Sequence, residues 1–407
     1  MKEKISMENN FIETQSHEWP QRTARSLSWA IYALMLSTFA FGMAEFIIIG
    51  LLPNVAHDLN VSISSAGFLV TGYALGIVIG APLLTVVTGK LSPKSVLLLL
   101  LALFTLGNVL AAIAPNYLTL LLARIIAAFA NGAFFGIGTV VATEMVAPDK
   151  RASAFATMFT GLTLANIIGV PLGTFLGQQA GWHSPFWVIV ALSLLAFMSI
   201  TFLIPRTQHT STSGLGQEFR ILGRKQVLLA LLMTTFGFGG VFTIFTYITP
   251  FLERITGFSP TAVSLILVLF GVASTLGNII GGKAADWKLM RSLLVSLVLL
   301  ALIEALFTIT GHNMITAVVT IFLFGIAAFA IIPMLQVRIV DKAKGATALA
   351  AAFNAAAFNL GNAGGAFLGG IIAASPQLGL NAITWVGAVV TVVGILITLW
   401  SMLLDRH

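Results

Sequence analysis

Twelve stretches of apolar residues, most of them about 20 long and divided by polar breaks, leave this chain little choice of solvent. A helix of that length crosses a hydrocarbon core of roughly 30 Å, and a helix is what the bilayer demands, because each backbone N–H and C=O must find its partner within the segment. The stretches are 28–51, 65–87, 95–114, 117–140, 154–178, 185–204, 227–250, 261–281, 292–310, 314–336, 346–373 and 383–403, numbered here as segments 1 to 12. With 58% hydrophobic and only 9% charged residues, and with short connections on the outer side, no soluble catalytic domain is expected. The expected fold class is an all-α membrane protein of twelve transmembrane helices, and not an enzyme.

Charge then orients the chain. All but two of its 21 Lys and Arg residues fall in the tails (Lys2, Lys4, Arg22, Arg25, Arg406) or in every second loop. Those loops hold Lys90 and Lys94; Lys150 and Arg151; Arg206, Arg220, Arg224 and Lys225; Lys283, Lys288 and Arg291; and Arg338, Lys342 and Lys344. By the positive-inside rule these loops and both termini are cytoplasmic. Arg254 stands in an outer loop and Arg124 well inside segment 4. The net charge of +7 therefore faces anionic lipid and calls for no nucleic acid. The polar first 26 residues and the long run after them read as a tail and a retained first helix, not a cleaved leader. Absence of cysteine excludes disulfides and thiolate metal sites, and His57, His183 and His312 lack metal-ligand spacing, so no cofactor or metal is expected.

The chain is also a duplication. Phe39-Ala-Phe41-Gly42, leading to Pro53, returns 197 residues later as Phe236-Gly-Phe238-Gly239, leading to Pro250. Ile126-Ala-Ala-Phe-Ala130 in segment 4 returns as Ile326-Ala-Ala-Phe-Ala330 in segment 10. Asn166-x-x-Gly169-x-x-x-Gly173 in segment 5 returns as Asn362-x-x-Gly365-x-x-x-Gly369 in segment 11. The expected organisation is a cytoplasmic tail 1–27, a six-helix bundle 28–204, a polar linker 205–226 containing Thr210-Ser-Thr-Ser-Gly214, and a second bundle 227–407. Two parallel bundles facing each other suit a central site whose access alternates as one half rocks against the other.

Three stretches resemble the major facilitator superfamily, and within it the twelve-helix drug:proton antiporters of the arabinose-efflux-like or chloramphenicol-resistance-like bacterial branch. They are Gly42-x-x-Glu45-Phe46-x-x-x-Gly50-Leu-Leu-Pro53, Arg124 with Asn131-Gly132, and Thr157-Met-Phe-x-Gly-Leu-Thr-x-Ala-Asn166-x-x-Gly-Val-Pro171-Leu-Gly173. The resemblance covers essentially the whole chain and implies the major facilitator fold with proton-coupled efflux. Two departures stand out. Gly89-Lys-Leu-Ser-Pro93 has proline where the family's loop motif carries Asp, although its repeat Gly282-Lys-Ala-Ala-Asp286 keeps the acid. The helix 5 motif reads Val170-Pro171-Leu-Gly173-Thr174 instead of Gly-Pro followed by paired glycines.

Glu45 is the sharpest chemical feature, since an ionisable group inside a transmembrane segment is costly unless it faces a cavity or a partner. Counted from the outer ends of segments 1 and 4, Glu45 and Arg124 share a depth of roughly 10 Å. That depth permits an ion pair, and the resemblance puts the two helices side by side at the cavity. The same pair could instead be a static brace. Segments 1, 4, 7 and 10 are expected to line the cavity, through Phe41, Asn131, Phe134, Phe238, Phe242, Thr246 and Tyr247. The small residues Gly169, Gly173, Gly365 and Gly369, beside Asn166 and Asn362, allow close helix packing, and Pro171 adds a kink that the resemblance sets against the opposite half. Asp286 reads as a loop carboxylate, either solvated or capping a helix of the other half as a latch, for which the resemblance implies segment 5 near Ser153. Glu304 reads as peripheral, and Glu144, Asp341 and Arg338 as charges at helix ends. Gly277-x-x-x-x-Gly282-Lys283 mimics a phosphate loop but continues with Ala284 and closes a membrane helix, so it binds no nucleotide.

The reading is a monomeric, proton-coupled antiporter exporting small organic compounds, with Glu45 carrying the proton and Arg124 modulating it. Its partners are a small-molecule substrate, protons and the bilayer. A sugar, nucleoside or purine transporter is the alternative, and a non-transporting sensor a more distant one.

Overall fold

The computed structural model describes residues 24–88, 91–147, 150–205, 221, 223–344 and 347–405. Most of the expected tail and linker lie outside these residues. So do Lys2, Lys4, Arg22, Gly89, Lys90, Arg206, Arg220, Arg406, the stretch Thr210–Gly214 and the side chain of Arg25.

The described chain is a succession of long helices: α1 (Ala24–Asp58), α2 (Ile63–Val87), α3 (Pro93–Ala112), α4 (Tyr117–Glu144), α5 (151–180), α6 (Ser184–Leu203), α7 (225–256), α8 (260–287), α9 (289–310), α10 (Met314–Lys342), α11 (Thr347–Ala374) and α12 (Ile383–Leu404). Their starts follow local chemistry. Ser92, Asn116, Ser259 and Asn313 each accept a hydrogen bond from a backbone N–H of the first turn, and Pro93, Pro185 and Pro260 sit in first turns, where no donor is missed. Exposed Leu122, Ile309 and Ile315 point outward from the bundle, as a lipid solvent requires.

Four features depart from the sequence expectation. Helices α8 and α9 follow one another directly, separated only by a kink at Lys288, whose φ −148°, ψ 75° is non-helical. Asp286 therefore sits in the last turn of α8, not in a loop; Lys283 to Arg291 contains no glycine or proline to stop a helix. Helix α1 continues past Pro53 to Asp58. Helix α7 is broken after Phe245, at Thr246 and Tyr247, and resumes as Ile248–Phe251 and a π turn Leu252–Thr256. Helix α5 carries its own π turn, Ala165–Gly169, just ahead of Pro171, which has no N–H to give the carbonyl of Ile167.

The two halves repeat one packing scheme. Helices α5 and α6 pack on α1 as α11 and α12 pack on α7, while α2 and α4 pair as α8 and α10 do. Glycine makes the equivalence concrete. A Cβ at Gly80 would run into Phe129, and one at Gly277, 197 residues on, into the backbone of Ile326. Gly169 and Gly173 admit Phe39, Met43 and Ile47 of α1, just as Gly365 and Gly369 admit Gly239, Thr243 and Tyr247 of α7.

The connections α2–α3, α4–α5, α6–α7, α8–α9 and α10–α11 share one face, called here the basic face, where Lys94, Lys150, Arg151, Arg224, Lys225, Lys283, Lys288, Arg291, Lys342 and Lys344 gather. Arg254 is the one Lys or Arg described at the opposite face. At the basic face a charge cluster ties three helices of the second half. Arg338 of α10, 2% exposed, donates to Gln226 of α7 (3.1 Å) and Ser401 of α12 (2.7 Å) and pairs with Asp405 (2.7 Å), to which Lys342 also donates.

Candidate functional site

Contacts between the halves concentrate away from the basic face. At the opposite face Gln178 of α5 donates to the carbonyl of Pro260 (3.1 Å) and accepts from Ser264 of α8 (3.1 Å). Ser64 of α2 donates to the carbonyl of Gly370 of α11 (2.6 Å), and one turn deeper the rings of Phe68 and Phe367 stack 5.5 Å apart. Tyr247 fills the centre of this seal. Its hydroxyl donates to the carbonyl of Ala366 (3.0 Å), and its ring lies against Gly67 of α2, where any Cβ would overlap it. Farther in, Thr71 reaches the carbonyl of Ala363 (3.5 Å), and Gly271 of α8 takes in the backbone of Asn166 and Ile167 within the α5 π turn. The seal so extends from the opposite face to about mid-helix.

Beneath it lies a recess bordered by both halves: Glu45 and Phe46 of α1, Val70, Tyr73 and Ala74 of α2, Phe242 of α7 and Asn362 of α11. The room inside it is about that of a single water molecule. In this sealed state it is a small site.

Glu45 reaches the recess with one oxygen committed. Asn131 of α4 donates from Nδ2 to Glu45 Oε2 (3.1 Å) and to the Tyr73 hydroxyl (3.2 Å), while Glu45 Oε1 takes no hydrogen bond from the described residues. Arg124 is 1% exposed, yet it forms no ion pair with Glu45. Its guanidinium donates to the backbone carbonyls of Ala44 and of Glu45 (3.1 Å for the latter) and lies 4.0 Å from the centre of the Tyr73 ring. Carbonyls and an aromatic face take the two terminal nitrogens of this planar cation, while its Nε stays buried without a hydrogen bond. The depth expectation also shifts: with α1 prolonged to Asp58, Glu45 lies about 20 Å from that helix end, and the arginine reaches its level from α4.

The other residues singled out in sequence divide between places. Phe242 and Asn362 line the recess, and Asn131 touches it through Glu45. Phe41 and Phe134 instead pack with tilted rings 4.8 Å apart inside the first half, with Phe104 4.0 Å from Phe41, so they form core, and Phe238 packs on Phe358 (5.0 Å) and Phe242 (5.4 Å). Tyr247 belongs to the seal, and Thr246, beside it at the break, is fully buried with its hydroxyl unpartnered. The lining thus comes from α1, α2, α7 and α11 in place of the expected 1, 4, 7 and 10, because α2 and α11 meet across the halves on the sealed side. Asp286 is exposed and makes no hydrogen bond or ion pair among the described residues, so no latch to α5 exists here. Tyr73 was not anticipated; its one signal was a tyrosine in the middle of an apolar run. Glu304 is the clearest correction: it is not peripheral but 0% exposed, accepting from Thr391 of α12 (2.7 Å) with its other oxygen unpartnered. Among the described residues no cluster of His, Cys, Asp or Glu could hold a metal.

Paired six-helix bundles around a buried recess, sealed toward one face, are the build of a secondary transporter. The chain belongs to the Major Facilitator Superfamily, whose family model matches residues 34–355 and again 242–407. It is 42% identical over 375 residues to the inner membrane transport protein YdhP of Escherichia coli (strain K12), covering 92% of this chain and 96% of that one. At 30% identity it is similar to a chloramphenicol resistance protein of Streptomyces lividans (82% and 86% covered). It is equally similar to a probable sugar efflux transporter of Helicobacter pylori (91% and 93% covered). Among solved structures, the bacterial homolog of the human lysosomal transporter Spinster, inward-facing and occupied, superposes with a TM-score of 0.75 at 15% identity, covering 94% of this chain and 98% of that one.

Proposed function

We propose that the protein is a proton-coupled antiporter that exports small organic compounds, with Glu45 as the group that proton and substrate occupy in turn. The observation that carries this reading is Glu45 itself: a carboxylate inside a membrane protein, one oxygen without a hydrogen-bond partner among the described residues, on a residue that lines a recess both halves border. An intramembrane acid in that setting is functional by default.

Orientation follows from charge. The basic face is cytoplasmic by the positive-inside rule, which puts both termini inside the cell and makes the sealed face periplasmic. In the state described, Glu45 would exchange with the cytoplasm, releasing a proton and taking substrate. With the seal open and the basic face shut, substrate would leave outward and Glu45 take up a proton. The bundles 28–204 and 227–407 are the rocking units, joined by 205–226, in a protein acting as a monomer. Gly169, Gly173, Gly365 and Gly369 keep each bundle tight, while the turn at Asn166 and Pro171 is the surface on which they rock. Arg124 holds the Glu45 backbone in place, and Asp286 would engage only in the other state.

The resistance protein among the relatives supports export of drug-like compounds. A sugar exporter is the second reading, favoured by the name of the Helicobacter pylori relative. Against it stands a lining of Phe46, Val70, Ala74 and Phe242 with few polar groups for a polyhydroxylated ligand. The test is a screen of deletion and overexpressing strains against antibiotics, dyes, purines and pentoses, followed by transport of the hit in inverted vesicles. Glu45→Gln keeps shape and loses the titratable proton, so substrate should collapse an imposed proton gradient with wild type alone. Undiminished gradient-driven transport by the variant removes Glu45 from the mechanism.

A further inference from the structure

The polar contacts around Glu45 close into a ring over three helices. From the Glu45 carboxylate on α1 the ring passes to the amide of Asn131 on α4, which donates to it (3.1 Å) and to the hydroxyl of Tyr73 on α2 (3.2 Å). The Tyr73 ring lies 4.0 Å from the Arg124 guanidinium, and Arg124 donates back to the Glu45 carbonyl (3.1 Å). Asn131, Tyr73 and Arg124 are each 2% exposed or less. Packing does not demand this set. The second half repeats the pairing of α2 with α4 in α8 with α10, and 197 residues on the four positions hold Phe242, Phe270, Ile321 and Ala328, all buried and all apolar. Burying polar groups is costly, so a network that the repeated fold does without calls for another use.

We infer that Asn131 is a positioning residue, which reads the protonation of Glu45 and passes it through Tyr73 to α2, the helix that carries much of the first half's side of the seal. This rests on Glu45 being the group that takes the proton. An ionised carboxylate only accepts, and the N–H end of the amide suits it while also supplying the Tyr73 oxygen. A proton on Oε2 makes that oxygen a donor, so the amide must turn and present Oδ1. The Tyr73 hydroxyl, having lost its donor, must then give its own proton to the same Oδ1. Both bonds reverse direction, and the hold on Tyr73 changes. On Oε1 a proton would find no acceptor among the described residues. Beyond Tyr73, α2 carries Thr71, Phe68, Gly67 and Ser64, all of which meet the second half, the last roughly 14 Å farther along at 1.5 Å per residue. A change in the hold on Tyr73 thus acts on the seal along one helix. The ionisable side chains that face Glu45 are Arg124 of α4 and Tyr73 of α2. Helices α5 and α6, also packed on α1, carry one charge, Arg151 at the basic face, while α7 and α11 bring Phe242 and Asn362 to the recess.

Pulsed electron spin resonance on the full-length protein in lipid nanodiscs tests this, with spin labels at His57→Cys and Gln377→Cys, exposed positions of the two halves on the sealed face. Titrated from about pH 9 to about pH 4, which covers the reach of carboxylates, the labelled parent should change its ratio of sealed to open molecules about tenfold, as exchange of a buried hydrogen-bond pattern implies. Glu45→Gln should remove that response. Tyr73→Phe keeps the ring beside Arg124 but deletes the hydroxyl, and Asn131→Leu deletes the amide. Each should flatten the response to within about twofold over the same range. Asn131→Ala serves if the leucine variant does not fold. A merely structural role would move the ratio by the same factor at every pH, so a full pH response in either the Tyr73 or the Asn131 variant overturns the assignment of Asn131 and leaves Glu45 as the proton carrier. No response in the parent, or an undiminished one in Glu45→Gln, instead removes Glu45 as the proton-carrying group, and the proposed function falls together with this inference.

Discussion

Replacing Gly67 with leucine should hold the protein open at the sealed face. A Cβ at this position already overlaps the hydroxyl and ring of Tyr247, and Tyr247, 0% exposed, cannot turn aside without giving up its bond to Ala366. Overpacking a filled site costs about 1–3 kcal/mol, and the lost hydrogen bond about 1 kcal/mol more. Because the clash exists only while α2 and α7 meet, the full 2–4 kcal/mol or so falls on the sealed state. At about 1.4 kcal/mol per factor of ten, the ratio of sealed to open molecules drops roughly 30- to 700-fold. The chain has no cysteine, so His57→Cys and Gln377→Cys, at exposed ends of the two halves on that face, place spin labels uniquely. Pulsed electron spin resonance should show the short-distance population of the parent replaced by a longer one in Gly67→Leu, with Gly67→Ala between them. Adding Tyr247→Ala should restore the short distance by clearing the space, a coupling that a double-mutant cycle measures. An unchanged distance distribution in Gly67→Leu would refute the account of Tyr247 as the stopper of this seal.

Two further outcomes are expected. Glu304→Gln should stay within about 1 kcal/mol of wild type and keep transporting, since the amide oxygen still accepts from Thr391, whereas Glu304→Ala should lose about 2–4 kcal/mol through the cavity and the orphaned hydroxyl; thermal melts and vesicle transport distinguish a structural acid from a second proton carrier, which the glutamine would disable. Asp405 is partly buried, which opposes ionisation, but hydrogen bonds from Lys342 and Arg338 prevail and hold its carboxyl below the usual range. Its contribution to stability is therefore in force at neutral pH and is lost only as pH falls below the ordinary carboxylate value of about 4, so the fall in melting temperature between pH 5 and pH 3 should be smaller in Asp405→Asn.

What was legible in the sequence follows from which signals act locally. Run length and the lysine and arginine pattern mark the spans because lipid penalises any other arrangement, and the 197-residue echo gives the halves and their glycine contacts. Glu45 is visible because a carboxylate in an apolar run has few uses. What escaped depends on a partner helix far away in sequence. The α7 break falls at Thr246 and Tyr247, where Pro250 leaves the carbonyl of Thr246 without its helical donor, but the role of Tyr247 comes from Gly67 on α2. Asp286 read as a loop because charges cluster around it, although nothing there stops a helix. Arg124 invited a salt bridge with Glu45, and only the backbone of α1 and the Tyr73 ring explain where its charge goes. Glu304 stands where the first half has Gly107, so the repeat gave no reason to place an acid in the core.

The seal also has an electrical consequence. Hydroxyls, amides, carbonyls and rings make it, and every ion pair among the described residues lies within one half. Closing it joins no opposite charges, so its strength should be nearly the same in dilute and concentrated salt. A unit charge carried across the membrane is worth about 2.3 kcal/mol per 100 mV, and this gate carries none. Membrane voltage can then bear on this gate only through what occupies the recess at Glu45.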